Sequence, residues 1–129
     1  VHISSFCSII GGGELIIQDF SGLSAGCRIV TGSDDFSGNF LTNPTVCSDF
    51  TNVKIGKIFI GRHVVLGTNS IVLPDVDVPD GVIVGAGSLI TKSLEPWTIY
   101  AGHRPKKIGE RSIDNIFDLE KKYLEYLCV

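Results

Sequence analysis

Two adjacent carboxylates, Asp34 and Asp35, stand in the segment Gly32-Ser33-Asp34-Asp35-Phe36. An ordinary aspartate, with a pKa of about 3.9, is a poor proton acceptor. A neighbouring like charge raises that value, and so does desolvation. The pair therefore reads either as a tuned general base or as two turn caps, because Ser-Asp runs commonly cap turns. A second group is cationic: Lys92, then Arg104, Lys106 and Lys107. Such side chains hold phosphates through charge-assisted hydrogen bonds, or else form a solvated tail. The three histidines, His2, His63 and His103, are far apart in the chain. His63, in IGRHVVLG, is expected as an exposed turn residue. His2 precedes inward-facing Ile3 and should point outward, a spare candidate base. Four cysteines, at 7, 27, 47 and 128, form no CxxC pair, so neither a zinc site nor a redox motif is supported. They are expected to be small free thiols in a reducing cytoplasm, with Cys7 and Cys27 in the interior.

The elements that must position these groups follow from a period of six. Ile60, Leu66, Val72, Val78, Val84 and Ile90 are all aliphatic. Four residues after each stand Val64, Ser70, Val76, Val82, Ser88 and Leu94, all small or aliphatic. The same period links Ile3 to Ile9, and Ile17 to Leu23 and Ile29, with Gly11-Gly12-Gly13 shifting the phase between the two runs. Six fits neither an α-helix nor a long flat strand. It fits a triangular coil of three short strands and three turns. Ile60 should then stack on Val78, and Leu66 on Val84, at the spacing of paired strands, about 4.8 Å. The expected architecture is a parallel β-helix of hexapeptide repeats. The rhythm fails over about 31–57, which reads as an extruded loop whose Phe36, Phe40 and Phe50 argue for order. Ser112 then opens a helical pattern through Ile113, Ile116, Phe117, Leu124 and Leu127. That helix should pack on its own β-helix or across a subunit boundary.

The totals set bounds. The chain has 129 residues, 43% hydrophobic and 19% charged, enough apolar content for one packed domain. A net charge of −3 argues against nucleic acid as a partner. No apolar run approaches the roughly 20 residues of a membrane span. The opening VHISSFCSII lacks the basic start and cleavage site of a signal peptide.

The hexads, followed by IVGAGSLITKSLEPWTIYAG, resemble the left-handed β-helix acyltransferases, most of all the galactoside, maltose and xenobiotic acetyltransferase group with its polysaccharide-biosynthesis members. The likeness covers roughly residues 1–108. It implies a mainly β fold, a left-handed parallel β-helix over 1–108 with a C-terminal helical segment over 109–129. It also implies a cytoplasmic homotrimer whose extruded loop covers active sites between subunits. The implied reaction is transfer of acetyl from acetyl-CoA to a sugar, amino sugar or nucleotide sugar, without a metal. Similar enzymes often carry a His in the loop as general base; here Asp34 stands in its place, with Asp35 tuning it. That substitution favours an amino group as acceptor, which needs less help than a hydroxyl. Lys92, Arg104, Lys106 and Lys107 would meet the coenzyme A phosphates, and the main chain at Ala86 and Gly102 the pantetheine, with His103 beside it. Trp97 and Tyr100 would flank the adenine or cover the barrel end, the second being favoured for Trp97. Two other readings keep the repeat: a non-catalytic trimeric binding module, and a gamma-class carbonic anhydrase. The latter's pattern needs two histidines five residues apart, which this chain lacks.

Overall fold

Short strands interrupted at every corner are what the hexads demand, and the structure, a computed structural model describing residues 1–128, has them. The first coil holds β1 (His2–Ile3), β2 (Ser8–Ile10) and β3 (Glu14–Ile17). The second holds β4 (Gly22–Leu23) and β5 (Arg28–Val30). The chain then leaves the coil through β6 (Gly32–Ser33) and returns through β7 (Lys54–Ile55) to β8 (Lys57–Ile60). The third coil is β9 (Val65–Leu66), β10 (Ile71–Val72) and β11 (Asp77–Val78). The fourth has β12 (Ile83–Val84) and β13 (Leu89–Ile90). β14 (Thr98–Ala101) starts another circuit, β15 (Lys106–Glu110) turns back against it, and α1 (Ile113–Leu127) follows. Three parallel sheets result: β1-β4-β9-β12-β14, β2-β5-β10-β13 and β3-β8-β11. The boundary expected at residue 108 falls inside β15.

The register has the expected circuit of 18: Ile60 pairs with Val78 and Leu66 with Val84. Ile17 pairs with Ile60 and Leu23 with Leu66, steps of 43, so the loop inserts 25 residues into one circuit. The glycine run adds two more, since Ile3 pairs with Leu23 and Ile9 with Ile29.

Inside the coil, the six aliphatics from Ile60 to Ile90 are at most 1% exposed. Each contributes about 1.5–3 kcal/mol by leaving water. Ser70 and Ser88 sit among them because both hydroxyls donate to the Gly85 carbonyl, at 3.2 and 2.7 Å. Cys27 is buried and Cys7 half-buried, both as free thiols. Burial pushes the Cys27 thiol pKa up. Ile3 and Ile9, expected inward, are 48% and 49% exposed, because the first coil has a neighbouring coil on one side only.

Corner residues adopt left-handed backbone angles. Phe20, His63, Gly81 and Trp97 hold one corner of successive coils, with φ between 56° and 74°. A side chain at Gly81 would run into the Trp97 ring, so glycine lets the column close. The Phe20 ring stacks on His63 at 4.9 Å, and Trp97 lies 6.3 Å beyond. Helix α1 covers this corner. Its Ser112 caps the first turn by accepting from the Asn115 N–H at 3.3 Å. Phe117 packs on Trp97 and His63, at 5.3 and 6.2 Å between centroids, and Tyr123 meets the edge of Phe20. Glu120 pairs with His63 Nε2 at 2.5 Å and with the Arg62 guanidinium.

Two expectations are corrected here. His63 is a turn residue but a buried one, because the helix lies over it. Trp97 does not cover the barrel end; it belongs to the corner column. Tyr100 takes the inward place opposite Val84, is 8% exposed, and its hydroxyl accepts from the Glu95 N–H at 2.9 Å.

Candidate functional site

The loop is fastened at its root. Thr31, almost fully buried, donates its hydroxyl to the Ile10 carbonyl and accepts from the Gly13 N–H, both at 2.9 Å. Its own carbonyl accepts from Gly56 N–H at 2.7 Å, where the loop returns. β6 and β7 then pair antiparallel, Gly32 with Ile55 and Ser33 with Lys54. Any side chain at Gly32 would strike the Gly11 backbone, so glycine is what lets the loop root lie flat on the first coil.

Beyond this root the two carboxylates take different hydrogen-bond partners. Asp35 is 8% exposed, accepting from Ser37 N–H at 2.8 Å and from the Asn52 amide at 3.0 Å, with Lys54 Nζ at 3.7 Å. The Ser37 donors, hydroxyl first and then backbone, followed by Asn52, lower its pKa from 3.8 to about 2. Asp35 is thus a turn brace, its carboxylate held by Ser37 and Asn52. Because its folded pKa is depressed, its contribution is full above the unfolded value and is lost as pH falls from 3.8 toward about 2. Protection of loop amides, taken relative to the intrinsic exchange rate at each pH, is therefore expected to fall on acidification across that window. An Asp35→Asn variant should show no such pH step; a step of the same size in the variant would overturn this role.

Asp34 is half-buried. Its Oδ2 accepts from the backbone N–H of Asn43 at 3.1 Å. With Asp35, it lines a cleft of about 320 Å³ that also takes in Ser33, Phe36, Lys54, Ile55 and the corner Pro74-Asp75 of the third coil. A second cleft, of about 570 Å³, is lined by β13, Thr91, Lys92, Leu94, Arg104 and Pro105. Val72 pairs with Ile90, so Pro74 and Lys92, each two residues on, share one corner of successive coils. The two clefts therefore follow the same corner.

The other expected residues fall elsewhere. Ala86 and Gly102 are exposed and occupy another corner of successive coils, each two residues beyond the paired Val84 and Tyr100. Lys106 is exposed on β15. Lys107 is tied to Glu110 at 2.9 Å, which raises the Lys107 pKa and lowers that of Glu110. Neither lysine lines the Lys92–Arg104 cleft. His2 and His103 are exposed, on β1 and in the β14–β15 turn. Among the described residues, no group of three His, Cys, Asp or Glu side chains is placed to hold a metal. Sequence reasoning missed Thr31, Asn43 and Asn52. Only Asn43, before Pro44, carried a signal, that of a turn.

The dTDP-4-amino-4,6-dideoxy-D-glucose acyltransferase of Escherichia coli is 39% identical to this chain over 123 residues, 95% of the chain and 64% of that protein. AntD, an N-acyltransferase from Bacillus cereus solved in complex with dTDP and 3-hydroxybutyryl-CoA, superposes with a TM-score of 0.90. The identity is 36%, over 99% of this chain and 68% of AntD. Galactoside acetyltransferase in complex with coenzyme A shares the fold, at TM-score 0.65 and 19% identity, over 85% of this chain and 52% of that one. No family model matches the chain. The coil is the left-handed parallel β-helix of these acyltransferases. The chain belongs to the hexapeptide-repeat acyltransferase family. It spans less than two thirds of the length of the curated relatives it matches, 64% and 54% for two of them.

Proposed function

We propose that this chain carries the catalytic β-helix of an acyl-CoA-dependent N-acyltransferase acting on a nucleotide-linked amino sugar. The observation that carries the reading is the shared corner: half-buried Asp34 lies in a cleft lined by Pro74, and Lys92, one coil on at the same corner, lines a second cleft with Arg104. The kinship to proteins named for dTDP-amino-sugar and N-acyl transfer supports the acceptor class. The amine lone pair attacks the thioester carbonyl, a C–N bond forms, and the C–S bond breaks. Asp34 takes the amine proton and passes it to the leaving thiolate, giving free coenzyme A. Backbone N–H groups hold the oxyanion between these steps. Lys92 and Arg104 hold coenzyme A phosphates, and Ala86 and Gly102 offer main chain to the pantetheine. Lys106 assists from solvent. Acetyl-CoA is the donor proposed first, and the assembly proposed is a cytoplasmic homotrimer.

Calorimetric titration with acetyl-CoA tests this. One saturable site per chain is expected. Lys92→Ala and Arg104→Ala should each weaken binding about tenfold, the loss of one charged contact. Lys107→Ala should change it little, since Glu110 already holds that ammonium. Absence of saturation in the wild-type chain would remove the donor and with it the reading.

A further inference from the structure

The Asp34 carboxylate is held from a distance. The Asn43 N–H that binds its Oδ2 comes from nine residues further along the loop. Asn43 has φ 93°, a left-handed angle that a branched or plain L side chain avoids. Its own side chain secures that angle: Oδ1 accepts from the Thr45 N–H at 2.9 Å and from the Thr45 hydroxyl at 2.8 Å. The Val46 N–H closes the turn on the Asn43 carbonyl at 3.1 Å. The turn Asn43-Pro44-Thr45-Val46 is therefore a self-braced hook, and its one donor aimed back into the loop is spent on Asp34. Asp35, next door, is clasped separately by Ser37 and Asn52. The two carboxylates line one cleft but are fixed by independent donors.

We propose that Asn43 is a positioning residue for acyl transfer, setting the Asp34 carboxylate toward the acceptor amine through its backbone N–H. The inference rests on Asp34 being the base. With Oδ2 occupied by Asn43, Oδ1 is the oxygen that takes the amine proton. Alanine at 43 disfavours the left-handed angle and removes the Thr45 clasp, so the N–H swings away. Glycine also removes the clasp but accepts the angle at no steric cost. Loss in alanine with recovery in glycine therefore separates positioning of the N–H from any role of the amide side chain in binding.

The kinetic test uses the full chain with acetyl-CoA and dTDP-4-amino-4,6-dideoxyglucose. Asn43→Ala is expected to lower kcat at least tenfold, as small misplacements of a reacting group do, with KM for acetyl-CoA unchanged. Asn43→Gly should keep at least half of the wild-type kcat. In an Asp34→Ala background, Asn43→Ala should add no further loss. If Asp34→Ala alone leaves turnover intact, the base assignment fails. If Asp34→Ala abolishes turnover but Asn43→Ala matches wild type, the base stands and the positioning role falls. A second measurement is independent of turnover: the Asn43 amide should be protected from hydrogen exchange in wild type and lose that protection in Asp34→Ala. Equal exchange in both would overturn the contact itself.

Discussion

Asp34→Asn is expected to lower kcat by about 10²–10⁴-fold while acetyl-CoA binding holds, the size of effect that loss of a general base produces. Asparagine keeps the volume of the side chain and an oxygen for the Asn43 N–H, so the loop should keep its shape. What it loses is the ability to take a proton. The contrast with Asp35→Asn makes the test sharper. Asp35 already receives its hydrogen bonds from Ser37 and Asn52 and titrates near 2, so its removal should alter loop stability more than turnover. Single-turnover rates for both variants, on acetyl-CoA and a dTDP-linked amino sugar, would show it. Equal losses in the two would mean that the loop acts as a unit and that Asp34 has no special part. An unchanged Asp34→Asn rate would mean that the amine attacks unaided.

Glu120→Ala should destabilise the fold by about 3 kcal/mol, because removing one partner of a mostly buried ionic cluster strands the others. His63 and Glu120 are 9% and 11% exposed at their side chains. Arg62 is 33% exposed, and Asp19 at 3.5 Å gives it a second partner, so solvent and Asp19 keep the loss at the lower end of the range for buried pairs. The corresponding fall in Tm is roughly 10 °C for a chain of this size. Glu120→Gln, which keeps a hydrogen-bond acceptor, should lose less than half as much. Thermal melts of the two variants and of Arg62→Ala/Glu120→Ala provide the check, the double variant recovering part of the loss. A Glu120→Ala melt within about 1 °C of wild type would show the cluster to be solvated and α1 to be held by Phe117 and Tyr123 alone.

The architecture was legible because one physical requirement repeats. An inward side chain every six residues, with turn formers between, has one economical solution, so Ile60 to Ile90 could be placed in the core before any contact was known. The loop was legible as the failure of that rhythm, and the helix from Ser112 as a change of period. Local rules end there. His63 looked like an exposed corner because nothing in IGRHVVLG announces a helix that begins fifty residues later. Lys106 and Lys107 looked like neighbours of Arg104, but a strand sends Lys107 to Glu110 and away from the cleft.

The candidate site divides in the same way. Asp34 was legible as an unusual residue at a loop entrance, and Lys92 and Arg104 as cations after the last full coil. That their two clefts follow one corner was not, because it depends on a register that stacks Pro74 beside Lys92. Nor was the division of labour between two adjacent aspartates, which comes from donors 2, 9 and 17 residues away. The sequence by itself determined the coil, its interior and the place where it is broken, since those follow from side-chain period and turn chemistry. Only the tertiary structure decided which charges are spent on bracing and which keep access to solvent. That choice is made by hydrogen-bond partners distant in the chain, and only folding brings them within 3 Å or so of each other.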